Sequence, residues 1–484
     1  MNHLAVDIGA NGGTVFTGEI EPNRMDITEV HRFDNHPVER NGRYVWDVTD
    51  LLTDIEEGLS AAASSLDGID TVGIDTWGLD FGLLNDGELL CDPYSYRDPE
   101  VSATRDDIID AVGKRELFEA TGLNHWNTPN TLWQYHALAR NEPDLLADAD
   151  RLLMMPQLLT YLLGGEAVTD VTVASTSQML DPGQRSWNTA LLDRLSLPTE
   201  PLPPLCEPGS TVGTVDAEIL SSEPTLVLPA SHDTAAAVAG MPLSENAAFL
   251  STGSWFILGV VSPRPDRSAA AYEAGVSNEL GVDDTVRLLK NINGFFLLEE
   301  CRLAWDRDGG VTSYEELLTA AEDAPAHASI VDPDAEAFSI DESMPEQIAD
   351  YCRATDQRVP ESEGETVRCL LDSLAATAAL TLEGIAAATG RTPETLHVGG
   401  GGVRNELFCQ LLADATGLVV RAGPTEATAT GNLLTQAVAA GSLPDLETGR
   451  RLVESTMEIS TYEPAAAKGW DEAMEKLRAL RSSS

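Results

Sequence analysis

Lysine is scarce in this chain of 484 residues, and so is positive charge in general. Lys plus Arg total 30 against 79 Asp plus Glu, a net charge of -49, and the lysines are Lys114, Lys290, Lys468 and Lys476. A surface this acidic repels phosphate backbones, which argues against a nucleic-acid partner. The acids are spread along the whole chain, so they do not form an acidic binding tail.

The same imbalance bears on stability, because self-repulsion of like charges destabilises a compact state at low salt. Concentrated ions screen that repulsion. We therefore interpret the composition, with its pI of about 4.2, as a halophilic adaptation to a salty cytoplasm.

Cysteine is also infrequent, and no two cysteines form a Cys-x-x-Cys pair. In so large a chain this argues against a disulfide framework or a zinc site and favours reduced thiols in a cytosol. The eight histidines show no metal-ligand spacing either. The six cysteines are Cys91, Cys206, Cys301, Cys352, Cys369 and Cys409.

Long hydrophobic runs are missing too. The start, Met1-Asn-His-Leu4, has neither the basic region nor the apolar stretch of a signal peptide. The most apolar tract, residues 152–163, is interrupted by Pro156 and Gln157 and is too short to span a bilayer. We therefore expect a cytoplasmic protein without a membrane partner.

What is present is an interleaving of helical and strand patterns over a length that exceeds a single core. The length predicts two domains, 1–240 and 241–484, and the interleaving predicts α/β layers.

The centre of the chain holds the decapeptide Val227-Leu-Pro-Ala-Ser-His-Asp-Thr-Ala-Ala236, where a buried-strand pattern ends and a helix of small residues begins. A carboxylate at the carboxyl end of a strand lies where open α/β sheets hold ligands. Asp233 could there accept a proton from a substrate hydroxyl, as a general base does. The alternative is that Asp233 only caps the helix.

A glycine-rich turn follows the first strand pattern, in Gly9-Ala-Asn-Gly-Gly-Thr14, and a second strand continues from Val15. Such a turn can point backbone N–H groups at an anion such as phosphate. It lacks the Gly-Lys-Ser/Thr of a Walker loop and the helix of a dinucleotide fingerprint. An ordinary hairpin is the alternative.

The same device returns in Ala247-Ala-Phe-Leu-Ser-Thr-Gly-Ser-Trp-Phe256: a strand, a turn of small residues with hydroxyls, and a strand. Two phosphate-type hairpins, one near the start of each half, predict a duplicated architecture with one hairpin per domain and a cleft between the domains.

Two carboxylates and an indole interrupt the apolar strand pattern of residues 71–84. Buried carboxylates are costly unless they meet partners. We interpret Asp75 and Trp77 as part of a ligand wall and Asp80 as a polar group satisfied within the core.

Later in the chain, a long helix is predicted over about 366–388 with Gly390 as its stop. A strand then enters Gly400-Gly401-Gly402, and Asn405 can cap the following helix, which Gly417 closes. Glycines between a strand and a helix let a flat ligand approach the backbone.

Taken together, these motifs resemble the FGGY family of carbohydrate kinases, whose fold is shared with actin, hexokinase and the 70-kilodalton heat-shock proteins. Within that family the likeness is greatest to the kinases that act on L-rhamnulose. It covers nearly the whole chain and rests on Val6-Asp-Ile-Gly-Ala10, His31-Arg-Phe33, Gly73-Ile-Asp-Thr-Trp-Gly-Leu-Asp-Phe81, Tyr96-Arg-Asp98, Asn130-Thr-Leu132, Ala230-Ser-His-Asp-Thr-Ala235, Leu289-Lys-Asn-Ile292, Gly400-Gly-Gly402 and Ala422-Gly-Pro-Thr-Glu-Ala427.

The resemblance implies an α/β fold of two actin/hexokinase-like (ribonuclease H-like) domains flanking a central cleft. The first domain would bind sugar and carry the first phosphate hairpin, and the second would bind nucleotide. Asp233 matches the catalytic base, and the further sugar contacts match Gly78, His232, Thr234 and Asn291. Asp7 matches the carboxylate that positions Mg²⁺. The ATP positions fall on Ala10, Asn11, Gly12, Gly13, Thr14, Ser254, Glu299 and Gly402.

Three positions depart from the family pattern. L-Rhamnulose kinases commonly carry Arg where this chain has Thr14, Gln where it has Glu299, and Thr where it has Ser254. Loss of Arg removes a charge-assisted phosphate donor, and Glu299 adds a negative charge. These changes predict weaker ATP affinity at low salt and leave Asp233 untouched.

The activity implied is ATP-dependent phosphorylation of L-rhamnulose at its 1-hydroxyl, with sugar and ATP as the small-molecule partners. A homodimer is compatible with this interpretation. Other kinases of the family, acting on L-fuculose, L-xylulose, D-xylulose or glycerol, stay open as alternatives. So does a protein of another class, a non-catalytic sugar sensor or an actin-like ATPase.

Overall fold

The computed structural model describes residues 1–307, 309–310, 313–338, 343–465 and 468–483. The strands are β1 (Asn2–Gly9), β2 (Gly12–Glu21), β3 (Arg24–Asp34), β4 (Val38–Arg40), β5 (Arg43–Val45), β6 (Thr71–Thr76), β7 (Phe81–Asn85), β8 (Glu88–Leu89), β9 (Arg151–Met154), β10 (Thr169–Asp170), β11 (Leu180–Asp181), β12 (Ser186–Trp187), β13 (Leu205–Cys206), β14 (Thr211–Thr214), β15 (Thr225–Val227), β16 (Ala247–Thr252), β17 (Trp255–Ser262), β18 (Ser277–Leu280), β19 (Val286–Asn293), β20 (Thr395–Gly400), β21 (Val419–Ala422) and β22 (Ser460–Tyr462).

The α-helices are α1 (Val48–Ser65), α2 (Arg105–Val112), α3 (Lys114–Thr121), α4 (Thr131–Asn141), α5 (Pro143–Asp148), α6 (Met155–Leu162), α7 (Val171–Ala174), α8 (Thr189–Arg194), α9 (Asp233–Gly240), α10 (Ala269–Glu273), α11 (Phe296–Arg307), α12 (Tyr314–Glu322), α13 (Met344–Ala354), α14 (Glu363–Thr389), α15 (Glu406–Thr416), α16 (Ala427–Ala439), α17 (Leu446–Thr456) and α18 (Trp470–Ser483).

The chain divides into two compact units that interleave along the sequence. The first unit comprises residues 1–242, 261–288 and 426–457, and the second comprises 243–260, 289–425 and 458–484. The prediction of two consecutive domains, 1–240 and 241–484, stays a prediction. The chain passes from the first unit to the second after residue 242, two residues beyond Gly240. Residues 261–288 and 426–457, which the prediction places in the second domain, belong to the first unit.

The first unit is built on a six-stranded sheet in the order β14-β15-β6-β1-β2-β3. Strands β1 and β2 form an antiparallel hairpin, whereas β6 runs parallel to β1 and β15 runs parallel to β6. The carboxyl ends of β1, β6 and β15 therefore meet at one edge of the sheet, where ligands bind in open α/β sheets.

Alternation along β1 divides the core of this unit between the two faces of its sheet. Leu4, Val6 and Ile8 belong to a buried cluster with the apolar side of α1 and with α6. Ala5 belongs to a second cluster formed with α9, α16 and α17. Because side chains alternate along a strand, Asp7 lies on the same face as Ala5, toward α9 and α16.

Helices α9 and α16 approach each other closely because glycines remove side chains at the contact. A Cβ on Gly431 of α16 would overlap the carbonyl of Ala236, and a Cβ on Gly240 of α9 would overlap the carbonyl of Ala427. The small-residue pattern of residues 423–432 therefore has a packing role.

The same strand arrangement recurs in a second sheet, which has seven strands in the order β18-β19-β17-β16-β20-β21-β22. Here β16 and β17 form the antiparallel hairpin, β20 runs parallel to β16, and β21 runs parallel to β20. Each sheet thus places an antiparallel hairpin beside two parallel strands. The predicted duplication, with one such hairpin in each half of the chain, is confirmed.

Local predictions from capping and stop residues are confirmed in several helices. Asn405 caps α15 through its side-chain oxygen, as predicted, and Asp47 caps α1 in the same way. Gly390 and Gly417 end α14 and α15 in the left-handed conformation. The acidic segment 305–361 contains α12 and α13, and its residues 308, 311–312 and 339–342 lie outside the described part of the chain.

Helix α14 has the length and apolar composition that could cross a membrane, and no other helix in the described residues does. Its most apolar window is 78% buried inside the protein. Burial in the second unit therefore accounts for its apolar composition. All six cysteines are free thiols, as predicted.

Candidate functional site

Asp233 is the first residue of α9, at the edge of the first unit's sheet where β15 and β6 end. The backbone before it is held on two sides: Thr76 N–H donates to Ser231 O (3.0 Å), and His232 N–H donates to the Thr172 hydroxyl (3.2 Å). The capping position belongs to His232, so the alternative that Asp233 serves as the N-cap does not hold.

The two carboxylate oxygens of Asp233 have different surroundings. Oδ1 accepts from the Thr234 N–H and, at 3.1 Å, from the Thr234 hydroxyl, and it lies 3.3 Å from His232 Nε2. Within the described residues no donor contacts Oδ2, and 34% of the side chain is exposed. One oxygen is therefore held by the protein while the other is available to a ligand.

Burial raises the pKa of Asp233 to about 6, although the hydrogen bonds from Thr234 oppose that shift. A base with a pKa near the working pH is ionised and still basic enough to take a proton. Such a pKa suits a proton acceptor.

A second acidic group lies on neighbouring strands of the same sheet. Asp7 of β1 is directly opposite Asp75 of β6 in parallel register, so both side chains lie on one face. Asp75 is fully buried, and its Oδ2 accepts from Asn432 Nδ2 of α16 at 2.6 Å. Asp75 Oδ1 has no hydrogen-bond donor among the described residues.

The two acids raise each other's pKa. The pKa of Asp7 is raised to about 7 by burial and then by the charges of Asp233 and Glu426. The pKa of Asp75 is raised well above its usual range by burial and then by Asp7. Carboxylates this close favour either a shared proton or a bound cation.

Helix α16 reaches this acid pair with a line of amide side chains. Gln436 Nε2 donates to Leu4 O (2.9 Å) and to Asn432 Oδ1 (2.6 Å), and Asn432 in turn donates to Asp75. Gly73 permits this approach, because a Cβ there would lie 2.8 Å from both amide side chains. Helix α16, which packs closely on α9, therefore also orients Asp75.

The first predicted phosphate turn is a tight hairpin. Ala10 and Asn11 form the turn, and Gly12, Gly13 and Thr14 already lie in β2, which begins three residues earlier than predicted. Thr14 lies opposite Asp7 in the antiparallel register. Asn11 Oδ1 accepts from Arg97 at 2.7 Å, which brings a positive charge to a turn without a basic residue of its own.

Gly78 lies in the loop after β6, where a Cβ would come within 2.6 Å of the Thr176 hydroxyl. The next residue, Leu79, has a φ of 83°. This conformation is strained for a residue with a side chain, and such strain is concentrated at functional sites. The Thr131 hydroxyl donates to Leu79 O at 2.6 Å and helps to hold the loop.

Asp80 anchors the same loop from inside. It accepts from the indoles of Trp46 (2.7 Å) and Trp77 (3.0 Å), from Gln134 Nε2 (2.7 Å) and from the Tyr96 N–H (3.1 Å). The prediction that Asp80 is satisfied within the core is confirmed. Trp77 is itself buried against Trp46, and its place in a ligand wall stays a prediction.

In the second unit, Ser254 and Gly402 lie next to the same strand end. The Thr252 hydroxyl donates to Gly399 O (2.7 Å) and accepts from the Gly402 N–H (2.9 Å). Phe296, at the start of α11, donates its N–H to Ser254 O at 3.2 Å. The second turn, the glycine loop and the first turn of α11 are thus tied together.

Glu299 of α11 does not carry a free negative charge. Arg302 pairs with both of its carboxylate oxygens (2.9 and 2.6 Å), and the Tyr314 hydroxyl donates to it at 2.5 Å. The hydrogen bond from Arg302 lowers the pKa of Glu299. The charge that the sequence placed near a nucleotide is therefore compensated by a residue one helical turn away.

Asn291 lies in β19 within the second unit, and its Oδ1 is buried without a hydrogen-bond donor among the described residues. The predicted site residues thus fall into two groups. The first unit contains Asp7, Ala10, Asn11, Gly12, Gly13, Thr14, Gly78, His232, Asp233 and Thr234, and the second contains Ser254, Asn291, Glu299 and Gly402.

Sequence reasoning missed a buried ion pair beside His232. Arg287 Nη2 lies 3.0 Å from Glu279 Oε2 and 3.2 Å from His232 Nδ1. Part of the signal was present, since Arg287 interrupts the apolar pattern Val286-Arg-Leu-Leu289, whereas Glu279 follows the polar residues Ser277 and Asn278. A charge in such a pattern indicates a buried partner.

Comparison with known proteins agrees with this architecture. Residues 4–240 match the N-terminal domain, and residues 248–440 the C-terminal domain, of the FGGY family of carbohydrate kinases. The chain is 40% identical over 480 residues to a rhamnulokinase from Bacteroides thetaiotaomicron, covering 98% of each chain. It is 34% identical to a rhamnulokinase from Bacillus subtilis, covering 96% of each.

Solved structures are similar in fold at low sequence identity. Ligand-bound xylulose kinase from Lactobacillus acidophilus superposes with a TM-score of 0.83 at 15% identity, covering 100% of this chain and 97% of that one. Plasmodium falciparum glycerol kinase with ADP has a TM-score of 0.76 at 16% identity, with the same coverage. These likenesses confirm the predicted actin/hexokinase-like α/β fold, and the chain belongs to the FGGY family of carbohydrate kinases.

Proposed function

We propose that this protein is an ATP-dependent sugar kinase that converts L-rhamnulose and ATP to L-rhamnulose 1-phosphate and ADP. The rhamnulokinases to which it is 33% to 40% identical support the choice of sugar. The observation that supports the catalytic role is the carboxylate of Asp233, which has one oxygen held by the N–H and the hydroxyl of Thr234 and the other oxygen available.

In the proposed reaction Asp233 accepts the proton of the sugar's 1-hydroxyl while that oxygen attacks the γ-phosphorus of ATP. The bond between the γ-phosphorus and the bridging oxygen breaks, and ADP leaves. Phosphoryl transfer of this kind depends mainly on positioning and on compensation of negative charge. The protein therefore has to hold the base and the phosphates firmly.

The acid pair fits a divalent metal ion, for which we propose Mg²⁺. Mg²⁺ binds through one or two carboxylates together with substrate phosphates, and Asp75 Oδ1 is a buried oxygen that has no donor in the described part of the chain. Asp7 and Asp75, which are partners in the register of β1 and β6, would hold the ion. When bound, it offsets the negative charge of the phosphates.

For the nucleotide we propose the positions that the family resemblance assigns. Ala10, Asn11, Gly12, Gly13 and Thr14 form the first phosphate turn, with Arg97 replacing the missing charge. In the second unit, Ser254 and Gly402 share the strand end organised by Thr252. Glu299, neutralised by Arg302, is compatible with an anionic ligand.

For the sugar we propose contacts from Gly78, His232 and Thr234 in the first unit and from Asn291, whose buried Oδ1 has no donor among the described residues. The strained Gly78–Leu79 loop supports this assignment. The acidic composition further supports an enzyme of a salt-rich cytoplasm.

The test is an assay of ADP release at molar KCl with ATP and Mg²⁺. L-Rhamnulose is compared with L-fuculose, L-xylulose, D-xylulose and glycerol, and the product is identified by phosphorus NMR. We expect the highest kcat/KM for L-rhamnulose, because a misplaced hydroxyl partner changes preference strongly.

A higher kcat/KM with another of these sugars would reassign the substrate within the family. Sugar binding without turnover would favour a sensor. ATP hydrolysis that does not depend on sugar and is accompanied by polymerisation would favour an actin-like ATPase.

A further inference from the structure

Beside the proposed base lies a pair of buried charges that the reaction described above does not use. The side chains of Arg287 in β19 and Glu279 in β18 are 1% and 5% exposed, and their charged ends are 3.0 Å apart. Arg287 also donates to Leu280 O at 3.1 Å. A buried ion pair is weak evidence for stability, because the desolvation of both ions offsets their attraction.

The contact between this pair and His232 decides which ring nitrogen carries the proton. A guanidinium has N–H donors and no acceptor, so His232 Nδ1, 3.2 Å from Arg287 Nη2, is the acceptor. Burial and the charge of Arg287 lower the pKa of His232 well below its usual value, so the ring is neutral. A neutral imidazole has one donor and one acceptor, and the hydrogen is therefore on Nε2.

The opposite tautomer is disfavoured by two contacts. A hydrogen on Nδ1 could reach Glu279 Oε2, but at 3.5 Å, and it would face the N–H of Arg287. Nε2 would then carry a lone pair instead of a hydrogen, 3.3 Å from Asp233 Oδ1. The other titratable group close to His232 is His125, whose Nδ1 lies 2.9 Å from the Ser277 hydroxyl.

We propose that Arg287, held by Glu279, is a positioning residue that locks His232 in the Nε2–H tautomer, so that His232 donates to Asp233 Oδ1 and leaves Oδ2 as the proton acceptor. Together with the N–H and hydroxyl of Thr234, three donors then fix one oxygen of the base. This inference rests on the proposed kinase function and specifies which atom of Asp233 reacts.

The variant that tests the lock replaces both members of the pair, Glu279→Leu with Arg287→Met. Removing one partner alone would leave an unpaired buried charge, whereas an apolar pair of similar volume is often tolerated. The matched control makes the same change in a partly buried ion pair of the second unit, Asp372→Leu with Arg368→Met. Thermal unfolding shows that each variant is folded.

Two measurements are made on the full chain. Nitrogen-15 NMR of histidine-labelled protein, with His232→Gln to assign the signal, reports which nitrogen is protonated. Kinetics with the preferred sugar report kcat and KM. We expect Nε2–H in the unmodified protein and loss of that single tautomer in the Glu279/Arg287 variant. That variant should also lose about 10²-fold in kcat, the effect of a misplaced catalytic group, with KM for ATP unchanged.

The proposal fails if His232 carries its proton on Nδ1 in the unmodified protein, or if the Glu279/Arg287 variant keeps its kcat. It also fails if the control variant loses as much kcat, because the effect is then structural. Should the double variant not fold, the tautomer in the unmodified protein still decides. An absence of sugar-dependent ADP release in the unmodified protein would instead overturn the kinase function, and the NMR result would stand independently.

Discussion

Among single residues, the carboxylate of Asp233 is the group on which the proposed reaction depends. We expect Asp233→Asn to lower kcat by about 10² to 10⁴, the usual effect of losing a general base. Sugar affinity, measured by calorimetry, should be retained because the amide has nearly the same shape. Asp67→Asn, which removes a carboxylate from the exposed turn after α1, is the control. Near-normal turnover in Asp233→Asn would overturn the assignment.

The pH dependence of turnover follows from the same residue. Burial raises the pKa of Asp233 to about 6, so the carboxylate is ionised above that pH and protonated below it. We expect kcat to fall on the acid side with an apparent pKa near 6. A kcat that stays level from pH 8 down to pH 5 contradicts the role of Asp233 as base.

Asp233 also affects how the free energy of unfolding depends on pH, with a sign opposite to that of a carboxylate whose pKa is lowered by folding. Since the pKa of Asp233 is higher in the folded state than in the unfolded one, folding favours its protonated form. Its contribution to stability is greatest below about pH 4 and is lost as the pH rises to about 6. Comparing the melting temperatures of Asp233→Asn and the unmodified protein across this range isolates the effect.

At the scale of elements, the space around two helical glycines predicts opposite effects for their replacement by alanine, and one of them lies where α9 packs on α16. Gly431→Ala places a Cβ on the carbonyl of Ala236, so we expect destabilisation of about 3 kcal/mol. Gly384→Ala in α14 meets nothing within 4 Å, and the gain in helix propensity should stabilise by about 0.5 to 1 kcal/mol. Denaturant midpoints measure both. Equal effects of the two changes would contradict the close approach.

The loop after β6 depends on the four donors that converge on Asp80. Asp80→Ala would leave those buried donors unpaired, at about 1 to 3 kcal/mol each, so we expect a loss of at least about 3 kcal/mol. KM for the sugar should also rise, because Gly78 lies in the same loop. Asp110→Ala, on the exposed side of α2, is the control and should change stability by less than about 0.5 kcal/mol.

At the scale of the whole molecule, the net charge of -49 predicts stabilisation by salt. The screening length falls from about 10 Å at 0.1 M to about 3 Å at 1 M. We expect the melting temperature to rise steadily with KCl over this range. Sucrose at matched osmolality is the control, because sucrose is excluded from the protein surface but does not screen charge. A melting temperature that does not respond to KCl contradicts the interpretation.

Much of the fold could be predicted because its signals are local. Capping by Asp47 and Asn405, the stops at Gly390 and Gly417, and the two hairpins each depend on residues close in sequence. The roles in the candidate site came mostly from the family resemblance. Arg302, three residues from Glu299, could have been recognised as its partner from helical spacing.

The rest required the packed structure. Asn432 and Asp75, which meet in a hydrogen bond, are 357 residues apart in sequence. Arg287 and His232 are 55 residues apart. No local pattern specifies such partners, since they depend on how strands pair and how α16 docks.

By itself, then, the amino-acid sequence determined the net negative charge, which follows from composition. It also determined the two hairpins, the helix limits and the identity of the family, because each of these follows from neighbouring residues or from motifs. Only the tertiary structure decided that Asp75 meets Asn432, that Arg287 contacts His232, and that one oxygen of Asp233 is held while the other is free. The periodicity of a strand tells which face a side chain occupies, but its partner on that face is set by the packing of distant segments.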